Sequence, residues 1–231
     1  MNVPNEKEVA DFYNQYADSQ KRIGVNIRHR HILKKMSSLG LNAQSKVMEI
    51  GCGIGTLTSL LATKSQNITA IDISPSSVEI ATTRLSKYKS IRWIVSDMKG
   101  LDLSEKYDFI VLPDVLEHIP IEAHENLFQV IKAHLAENGQ VCIHIPDPYA
   151  LEWIRKNQPH LLQIIDQSLY TNLLIENIYN SGLILHRLER YTLQKTQPDY
   201  QWIELRHRPN YTSLDNKKYH NRFIDEVKSR L

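Results

Sequence analysis

Three glycines, Gly51, Gly53 and Gly55, have the spacing that points most directly to chemistry. They follow the apolar run 46–50, which is typical of a buried strand, and precede TLTSLLATK, which is typical of a helix. Glycines at such a junction allow a sharp turn and let a ligand lie against the backbone. Asp72 follows Gly51 by 21 positions, where an acid can accept hydrogen bonds from both hydroxyls of a ribose. The pattern therefore predicts a nucleoside-containing ligand at the carboxyl ends of the strands.

The spacing of these glycines separates two classes of nucleoside ligand. A dinucleotide turn has Gly-x-Gly-x-x-Gly, so that a helix amino terminus meets a pyrophosphate. Here Thr56 stands at the third glycine position, and Glu49, two positions before Gly51, would repel a pyrophosphate. An acid in that place suits a ligand with an ammonium group. S-adenosylmethionine carries a sulfonium and an α-ammonium beside its adenosine, so it fits this turn better than a dinucleotide does.

Several segments together resemble the class I S-adenosylmethionine-dependent methyltransferases. VMEIGCGIGT is similar to the first motif of that family, AIDIS to its ribose-binding segment, IVSDM to the segment that reads the adenine edge, and YDFIVLPDVLEHIP to the fourth motif beside the reacting methyl. NGQVCIHIP matches the fifth strand, and in order and spacing the resemblance covers about residues 41–147. The form DVLEHIP is closest to the broad small-molecule group, which includes quinone, sugar and natural-product methyltransferases.

The resemblance implies both a fold and a cofactor. The implied fold is a doubly wound, Rossmann-like α/β domain with a seven-stranded sheet in the order 3-2-1-4-5-7-6, whose last strand is antiparallel. The implied cofactor is S-adenosylmethionine, with Tyr16 of the first helix closing over its amino-acid end. The alternative role for Tyr16 is packing against the edge of the sheet. The residues expected to contact the cofactor are Tyr16, Glu49, Gly51, Cys52, Gly53, Gly55, Thr56, Asp72, Ile73, Asp97, Met98 and Pro113.

The candidate catalytic residues follow the fourth and fifth strands. A hydroxyl acceptor usually needs a base, and His118, six positions after the fourth strand, is predicted to be that base at the mouth of the site. Asp147, just past the fifth strand, is predicted to orient its imidazole. The alternative role for His118 is structural, as a cap of its short helix. An amine acceptor needs only to be unprotonated, so these residues leave O- and N-methylation open.

No metal is expected at this site. The cysteines and histidines lack zinc-site spacing, and the chain lacks an Asp-Asp-Asn set of the kind that holds magnesium in catechol-type methyltransferases. A divalent ion held by Asp114, His118 and Asp147 is the less favoured alternative.

The elements that must position these residues alternate between strands and helices. Short runs rich in Ile and Val predict parallel strands at 46–50, 68–72, 91–95, 107–112 and 140–145. The best-marked helix begins at Ser74-Pro75, a capping residue followed by a proline at the first helical position. Another spans roughly 121–136, with Asn138-Gly139 as the turn into the fifth strand. This alternation predicts a doubly wound α/β domain.

The flanking segments are predicted to cover the site and complete the sheet. Two helices are expected within residues 6–39, one around EKEVADFYNQYA and a longer one through VNIRHRHILKKMSSL that ends at Gly40. Within the second, Arg28, His29, Arg30 and His31 are predicted to form a solvated basic turn. Beyond the fifth strand, ILHRLERYTL and DYQWIELRHR are predicted to pair as an antiparallel hairpin at a sheet edge.

The chain length of 231 residues suits a single domain. We divide it into cover helices at 1–40, a cofactor-binding core at 41–147, an acceptor cover at 148–181, and final strands with a tail at 182–231. A homodimer remains open. The amino terminus has no apolar stretch like a signal peptide, no apolar run is long enough to span a membrane, and two cysteines cannot form a disulfide framework. We therefore expect a cytoplasmic protein.

These observations predict an S-adenosylmethionine-dependent methyltransferase that acts on an O or N of a small molecule of the sugar, quinone or natural-product type. One alternative is a nucleic-acid methyltransferase, for instance one acting on tRNA. A net charge of only +2, and LPDV in place of an Asn/Asp-Pro-Pro-Tyr/Phe box, argue against nucleic acid. The alternative from another class is a protein that binds the cofactor without turnover.

Overall fold

The computed structural model describes residues 8–9, 11–13 and 24–210. Residues 8–9 and 11–13 are helical, and helix α1 follows at Ile27–Ser38. The Asn26 side chain caps α1 by accepting from the backbone N–H of Arg28, and the backbone N–H of Asn26 donates in return to Nδ1 of His29. The predicted second helix is therefore confirmed, and the strong capping residue Asn26 fixes where it begins. The expected solvation of residues 28–31 is wrong for three of the four, because Arg28, His29 and His31 are partly buried.

Seven strands form one sheet in the order β3-β2-β1-β4-β5-β7-β6, as the resemblance implied. The first five are mutually parallel, β7 is antiparallel to β5, and β6 pairs antiparallel with β7 as the predicted hairpin. Their bounds are β1 Lys46–Ile50, β2 Asn67–Asp72, β3 Ile91–Val95, β4 Tyr107–Pro113, β5 Leu135–Pro146, β6 Leu183–Tyr191 and β7 Tyr200–His207.

The helices lie on both faces of this sheet because successive strand residues point to opposite sides. On β1, Met48 packs with the core beside α4 and α6, while Val47 packs with the core beside α1 and α2. The helices after α1 are α2 Thr56–Leu61, α3 Pro75–Arg84, α4 Ile121–His134, α5 Pro148–Asn157 and α6 Thr171–Asn180, with short 3-10 turns at Leu116–His118 and Pro159–Leu161.

Two helix ends form as the residue types dictate. Ser74 caps α3, accepting from the backbone N–H of Ser77, and Pro75 occupies the first helical position. Gly40 follows α1 with φ of 101°, a left-handed conformation that glycine adopts without steric strain.

Strand β5 begins earlier than predicted, directly after α4. The expected turn at Asn138-Gly139 is instead an irregularity within the strand, where the register to β4 shifts between Tyr107 and Phe109. A Cβ on Gly139 would lie 2.8 Å from the carbonyl oxygen of Tyr107, so glycine marks a close backbone approach here rather than a turn. Within the described residues, no helix is long and apolar enough to cross a membrane.

Candidate active site

A cavity of about 230 Å³ opens at the carboxyl ends of β1, β2 and β4. Parallel strands bring their carboxyl ends to one edge of the sheet, so residues distant in sequence meet there. Tyr16 lies outside the described residues, and Gly55 does not line the cavity. The other residues expected to contact a cofactor all do: Glu49, Gly51, Cys52, Gly53, Thr56, Asp72, Ile73, Asp97, Met98 and Pro113.

The glycine turn forms the floor of the cavity. Gly51 has φ of 77°, and a Cβ built on it would lie 2.1 Å from Cγ2 of Val115, so no side chain fits there. Gly55 has φ of 76° and caps α2, but its Cα faces Leu85 and Trp93. The expectation that Gly55 touches the ligand is therefore corrected: this glycine lets α2 pack closely against its neighbours.

Asp72 stands at the end of β2 with both carboxylate oxygens already engaged. The backbone N–H of Gly53 donates to Oδ2 at 2.7 Å, and the backbone N–H of Ser74 donates to Oδ1 at 2.9 Å. Burial raises the pKa of Asp72, and these two hydrogen bonds oppose that effect. A carboxylate oxygen can accept more than one hydrogen bond, so Asp72 retains the capacity to accept from a ligand diol.

Glu49 is buried at the end of β1 with only one of its oxygens satisfied. The Thr58 hydroxyl donates to Oε2 at 2.6 Å, while Oε1 has no hydrogen-bond partner among the described residues. Burial raises the pKa of Glu49 to about 8. A buried unpartnered carboxylate oxygen on a cavity wall is costly unless a donor reaches it, and a cationic donor satisfies it best.

The far wall of the cavity contains two residues with unusual backbone geometry. Met98 has φ of 72° and Asp114 has φ of 54°; they are the non-glycine residues with positive φ within the described ranges. Met98 is buried, and its backbone N–H is held by the Ser96 hydroxyl at 3.0 Å. Backbone strain of this kind persists where surrounding contacts fix it, which is common at binding sites.

Asp114 joins three elements at the cavity, a role that its position in the sequence does not predict. Its carboxylate accepts from Arg28 of α1 at 2.9 Å and lies 2.5 Å from Nδ1 of His144 on β5. Burial alone would raise the pKa of Asp114, but His144 and Arg28 outweigh burial and lower it to about 2. The capping signal at Asn26 places Arg28 on a helix, but only the tertiary packing reveals its partner.

His29 also lines the cavity and is neutral. Burial, reinforced by the neighbouring Arg28, lowers the pKa of His29 to about 4. A neutral ring keeps Nδ1 available to accept the backbone N–H of Asn26, as the capping geometry requires.

His118 lines the cavity but is buried, with 9% of its side chain exposed, rather than open at the mouth. Its Nδ1 lies 2.6 Å from the carbonyl oxygen of Ile165 and 3.2 Å from Oδ1 of Asp166, while Nε2 lies 3.8 Å from Oε1 of Glu117. Burial would lower the pKa of His118, but Glu117, Asp166 and the Ile165 carbonyl outweigh it and raise the pKa to about 9.

Asp147 does not orient His118, and that prediction is wrong. Its carboxylate caps α5 through the backbone N–H of Tyr149 at 3.1 Å and binds the Arg190 guanidinium at 2.6 and 3.1 Å. A carboxylate just before Pro148 is well placed to cap the helix that begins there. The oxygen atoms of Asp147 are thus used by α5 and β6, and Asp166 takes the place beside the imidazole.

A second cavity of about 750 Å³ adjoins the first. The two share walls formed by Arg28, Asp114, His118 and Gln163. Residues from 149 to 166 line much of it, and the connection between β6 and β7 lines another part. Among the described residues, no group of three or more His, Cys, Asp or Glu side chains is arranged to hold a metal ion.

Comparison with protein families matches residues 25–208 to a methyltransferase domain. Nodulation protein S of Rhizobium tropici is 33% identical over 92 residues, which are 40% of this chain and 39% of that protein. The ubiquinone biosynthesis O-methyltransferase of Rickettsia felis is 29% identical over 150 residues, 57% of this chain and 59% of that protein. The chain thus spans about half the length of the curated relatives it matches.

A solved structure shares the fold. The N-methyltransferase NodS from Bradyrhizobium japonicum WM9, in complex with S-adenosyl-L-homocysteine, superposes with a TM-score of 0.66 and 20% sequence identity. The match covers 87% of this chain and 99% of that one, so the common architecture extends over nearly the whole neighbour.

Proposed function

Because the chain belongs to the class I S-adenosylmethionine-dependent methyltransferases, we propose that it binds S-adenosylmethionine in the 230 Å³ cavity and methylates an O or N of a small molecule. Glu49 carries this proposal. Its Oε1 lacks a partner within the described part of the chain, and its carboxyl lines the cavity, so an α-ammonium group fits it. A pyrophosphate at the same place would meet a buried acid.

The remaining parts of the cofactor have residues suited to hold them. Asp72 would accept from the ribose hydroxyls while Gly53 and Ser74 keep its carboxylate oriented. Asp97 and Met98 would flank the adenine at the end of β3. Gly51 leaves open the space that a Cβ would fill, so the ligand can lie on the turn. The donor set therefore fits S-adenosylmethionine.

Methyl transfer demands little covalent chemistry from the protein. When bound, the cofactor supplies an electrophilic methyl group on a sulfonium. The residues of the chain have to hold an acceptor atom in line with that methyl and exclude water from it. The shared walls of the two cavities, at Asp114 and His118, provide such a junction. For a hydroxyl acceptor, His118 remains our candidate base, positioned by Asp166 instead of Asp147.

We propose that residues 148–181 cover the acceptor, because residues between 149 and 166 of this segment line the larger cavity. A concave space of about 750 Å³ suits a small molecule and supports that acceptor class over a nucleic acid. Cys52 and Cys142 are both free and buried, which supports a cytoplasmic location.

Calorimetry tests the cofactor assignment directly. The purified protein is expected to bind S-adenosylmethionine and S-adenosylhomocysteine, and to bind NAD and NADP negligibly. Binding of NAD at micromolar concentration with no response to S-adenosylhomocysteine would contradict the proposal. A turnover screen with methyl-labelled S-adenosylmethionine across sugars, quinones, amines and peptides then tests activity, and binding without transfer to any acceptor would favour a non-catalytic protein.

A further inference from the structure

We propose that the methyl acceptor is an amine, with its nitrogen held by Glu117 and its carbon skeleton lying on Tyr149 and Trp153 in the 750 Å³ cavity. This inference rests on the proposed function and specifies the substrate class of the same site. Neither Glu117 nor the two aromatic residues belong to the predicted catalytic pair.

Glu117 is a buried carboxyl group that the fold leaves incompletely satisfied. It lies on the 3-10 turn after β4 and is 2% exposed, yet its Oε2 has no hydrogen-bond partner in the described ranges. Its other oxygen is 3.8 Å from Nε2 of His118, beyond hydrogen-bond distance. Glu117 lines the larger cavity and interacts electrostatically with Asp114 and Asp166, which line it too. The unpartnered oxygen of Glu117 is therefore available to a ligand bound in that cavity.

The other acids of the cavity are already neutralised or satisfied. Asp114 is paired with Arg28, and Asp147 with Arg190. The carboxylate of Asp199 accepts two backbone N–H groups, those of Leu193 and Gln194. Asp166 accepts from the backbone N–H of Gln163 and lies 3.2 Å from Nδ1 of His118. Among the described acids of this cavity, Glu117 is therefore the one with a buried oxygen that lacks a partner.

A second acceptor atom on the same walls favours an amine over a hydroxyl. The side-chain oxygen of Gln163 is buried and lacks a hydrogen-bond partner within the described part of the chain, and Gln163 lines both cavities. A hydroxyl group has one hydrogen to donate, whereas an amine has two and an ammonium three. An amine therefore has enough donors for both Glu117 and Gln163, and a positive charge on its nitrogen strengthens the bond to the carboxylate.

Aromatic side chains on α5 offer a surface for the rest of the acceptor. Tyr149 is 61% exposed and Trp153 is 54% exposed, and their spacing of four residues places them on one face of the helix. Both line the larger cavity. Exposed aromatic side chains at a cavity wall are suited to pack on an apolar skeleton or on the apolar face of a sugar ring.

The chemistry balances with Glu117 as the proton acceptor. An alkyl ammonium gives one proton to the Glu117 carboxylate, which leaves a neutral amine with a free electron pair. The nitrogen–carbon bond forms as the sulfur–methyl bond breaks, and the electron pair of the broken bond stays on sulfur. The product leaves as a methylated ammonium, and the proton on Glu117 passes to water. Burial raises the pKa of Glu117 despite the nearby His118, which brings it closer to that of an amine.

Matched acceptors test the inference. Each pair carries an amine or a hydroxyl on the same carbon skeleton, as in benzylamine with benzyl alcohol and 2-amino-2-deoxyglucose with glucose, and methyl-labelled S-adenosylmethionine is the donor. Transfer is expected to amines and not to the matching alcohols. With the best amine, Glu117→Gln is expected to lower turnover about 100-fold, while affinity for S-adenosylhomocysteine stays within twofold. The control Glu122→Gln, an exposed glutamate in the first turn of α4, is expected to match wild type.

The outcomes separate the two proposals. Transfer to alcohols alone, or wild-type amine turnover in Glu117→Gln, overturns the amine inference and leaves the methyltransferase function intact. Failure of the wild-type protein to bind S-adenosylhomocysteine overturns the function itself. If no acceptor in the panel is methylated, the melting temperature of the S-adenosylhomocysteine complex is measured with each amine and each matching alcohol. The inference requires that the amines raise this temperature more than the alcohols do, and an equal or smaller rise overturns it. If Glu117→Gln fails to fold, Gln163→Ala takes its place, and an unchanged KM for the amine overturns the inference.

Discussion

At the scale of single residues, the site consists of buried polar side chains that can accept further hydrogen bonds. Asp72 has a backbone donor on each oxygen, whereas Glu49 and Glu117 each retain an oxygen without a partner among the described residues. Leaving such a group unsatisfied destabilises the folded state by about 1–3 kcal/mol, more if it is charged. Positions that tolerate this loss are those where a ligand restores the missing bond.

Replacing Asp72 with Ala is expected to weaken S-adenosylhomocysteine binding by ~2–4 kcal/mol, because two ribose hydroxyls lose a charged acceptor together. The matched substitution Asp97→Ala removes a more exposed carboxylate, and its expected loss is ~0.5–1.5 kcal/mol. Calorimetry measures both. Since Asp72 also holds Gly53 and Ser74, melting temperatures of the free proteins serve as the control. Equal losses in the two variants would mean that the ribose is held elsewhere.

His118 is expected to keep its proton up to about pH 9, and an NMR titration of its imidazole measures this. Its folded pKa lies above the unfolded value of about 6.5, so its contribution to stability is complete below pH 6.5. That contribution is lost as the pH rises through 9. The unfolding free energy of wild type, compared with His118→Gln, should fall over this interval. Titration at or below pH 6.5 would refute the ion-pair geometry.

The same pKa decides how His118 can act in catalysis. A base must be unprotonated, so a hydroxyl acceptor predicts turnover that increases as the pH approaches 9. His118→Ala would then lower turnover ~100- to 10,000-fold. An amine acceptor predicts a loss of about tenfold or less, through positioning alone. A purely capping role predicts intact kinetics with lower stability by ~1 kcal/mol.

At the scale of elements, α1 completes the site by docking on the far end of the sheet. Arg28 binds Asp114, Lys35 binds Glu189 of β6 at 2.7 Å, and the ring of His31 stacks on Tyr191 with centroids 4.4 Å apart. One helix thereby contacts the ends of β4 and β6, which the chain order separates widely. The cavity wall at Arg28 and His29 exists only because this docking occurs.

The turn between β1 and α2 has no room for a side chain, and Gly51→Ala tests this. A comparison with Gly100→Ala isolates the steric effect, since Gly100 also has positive φ, at 62°, but no described atom lies within 4 Å of its would-be Cβ. Gly51→Ala should reduce the unfolding free energy by about 1–3 kcal/mol more than Gly100→Ala and abolish S-adenosylhomocysteine binding. Denaturant unfolding and calorimetry measure the two effects. Similar behaviour of the two variants would contradict the steric argument.

At the scale of the whole molecule, two adjoining cavities are lined mainly by different elements of the chain. The parallel strands β1, β2 and β4 form the smaller cavity, while α5, the segment after it and the connection from β6 to β7 form much of the larger one. The shared wall joins them at the point where a methyl group would pass. Cofactor affinity and acceptor affinity should therefore respond to different substitutions.

Trp153→Ala is expected to raise the KM for the acceptor about five- to tenfold, because the exposed indole would pack against it. Affinity for S-adenosylhomocysteine and the melting temperature should stay at wild-type values, since the side chain is exposed. Tyr179→Ala is the matched control: this tyrosine is 52% exposed on α6 and does not line either cavity. Equal acceptor KM values in the two variants would remove Trp153 from the acceptor site.

The sequence alone identified the features that depend on neighbours along the chain. The glycine turn, Asp72 at the end of β2 and the cap at Ser74 are decided within a strand, a turn and the next helix. Parallel pairing then brings strand ends to one edge of the sheet, so their meeting could be foreseen. The sheet order followed from the family resemblance, whereas the early start of β5 did not, because a register shift depends on the partner strand.

The ion-pair and hydrogen-bond partners of chemically equivalent side chains were determined only by the tertiary structure. By residue type, either Asp147 or Asp166 could pair with His118. The packing of the segment at 162–170 places Asp166 beside the imidazole, whereas Asp147 binds Arg190. Arg28 binds Asp114, which lies 86 positions away in the sequence. Such pairings are fixed by where separate elements dock, to within about an ångström, and hydrogen bonds fail beyond that tolerance. Spacing along a chain carries no information at that precision, which is why the cofactor turn was predictable and the acceptor side was not.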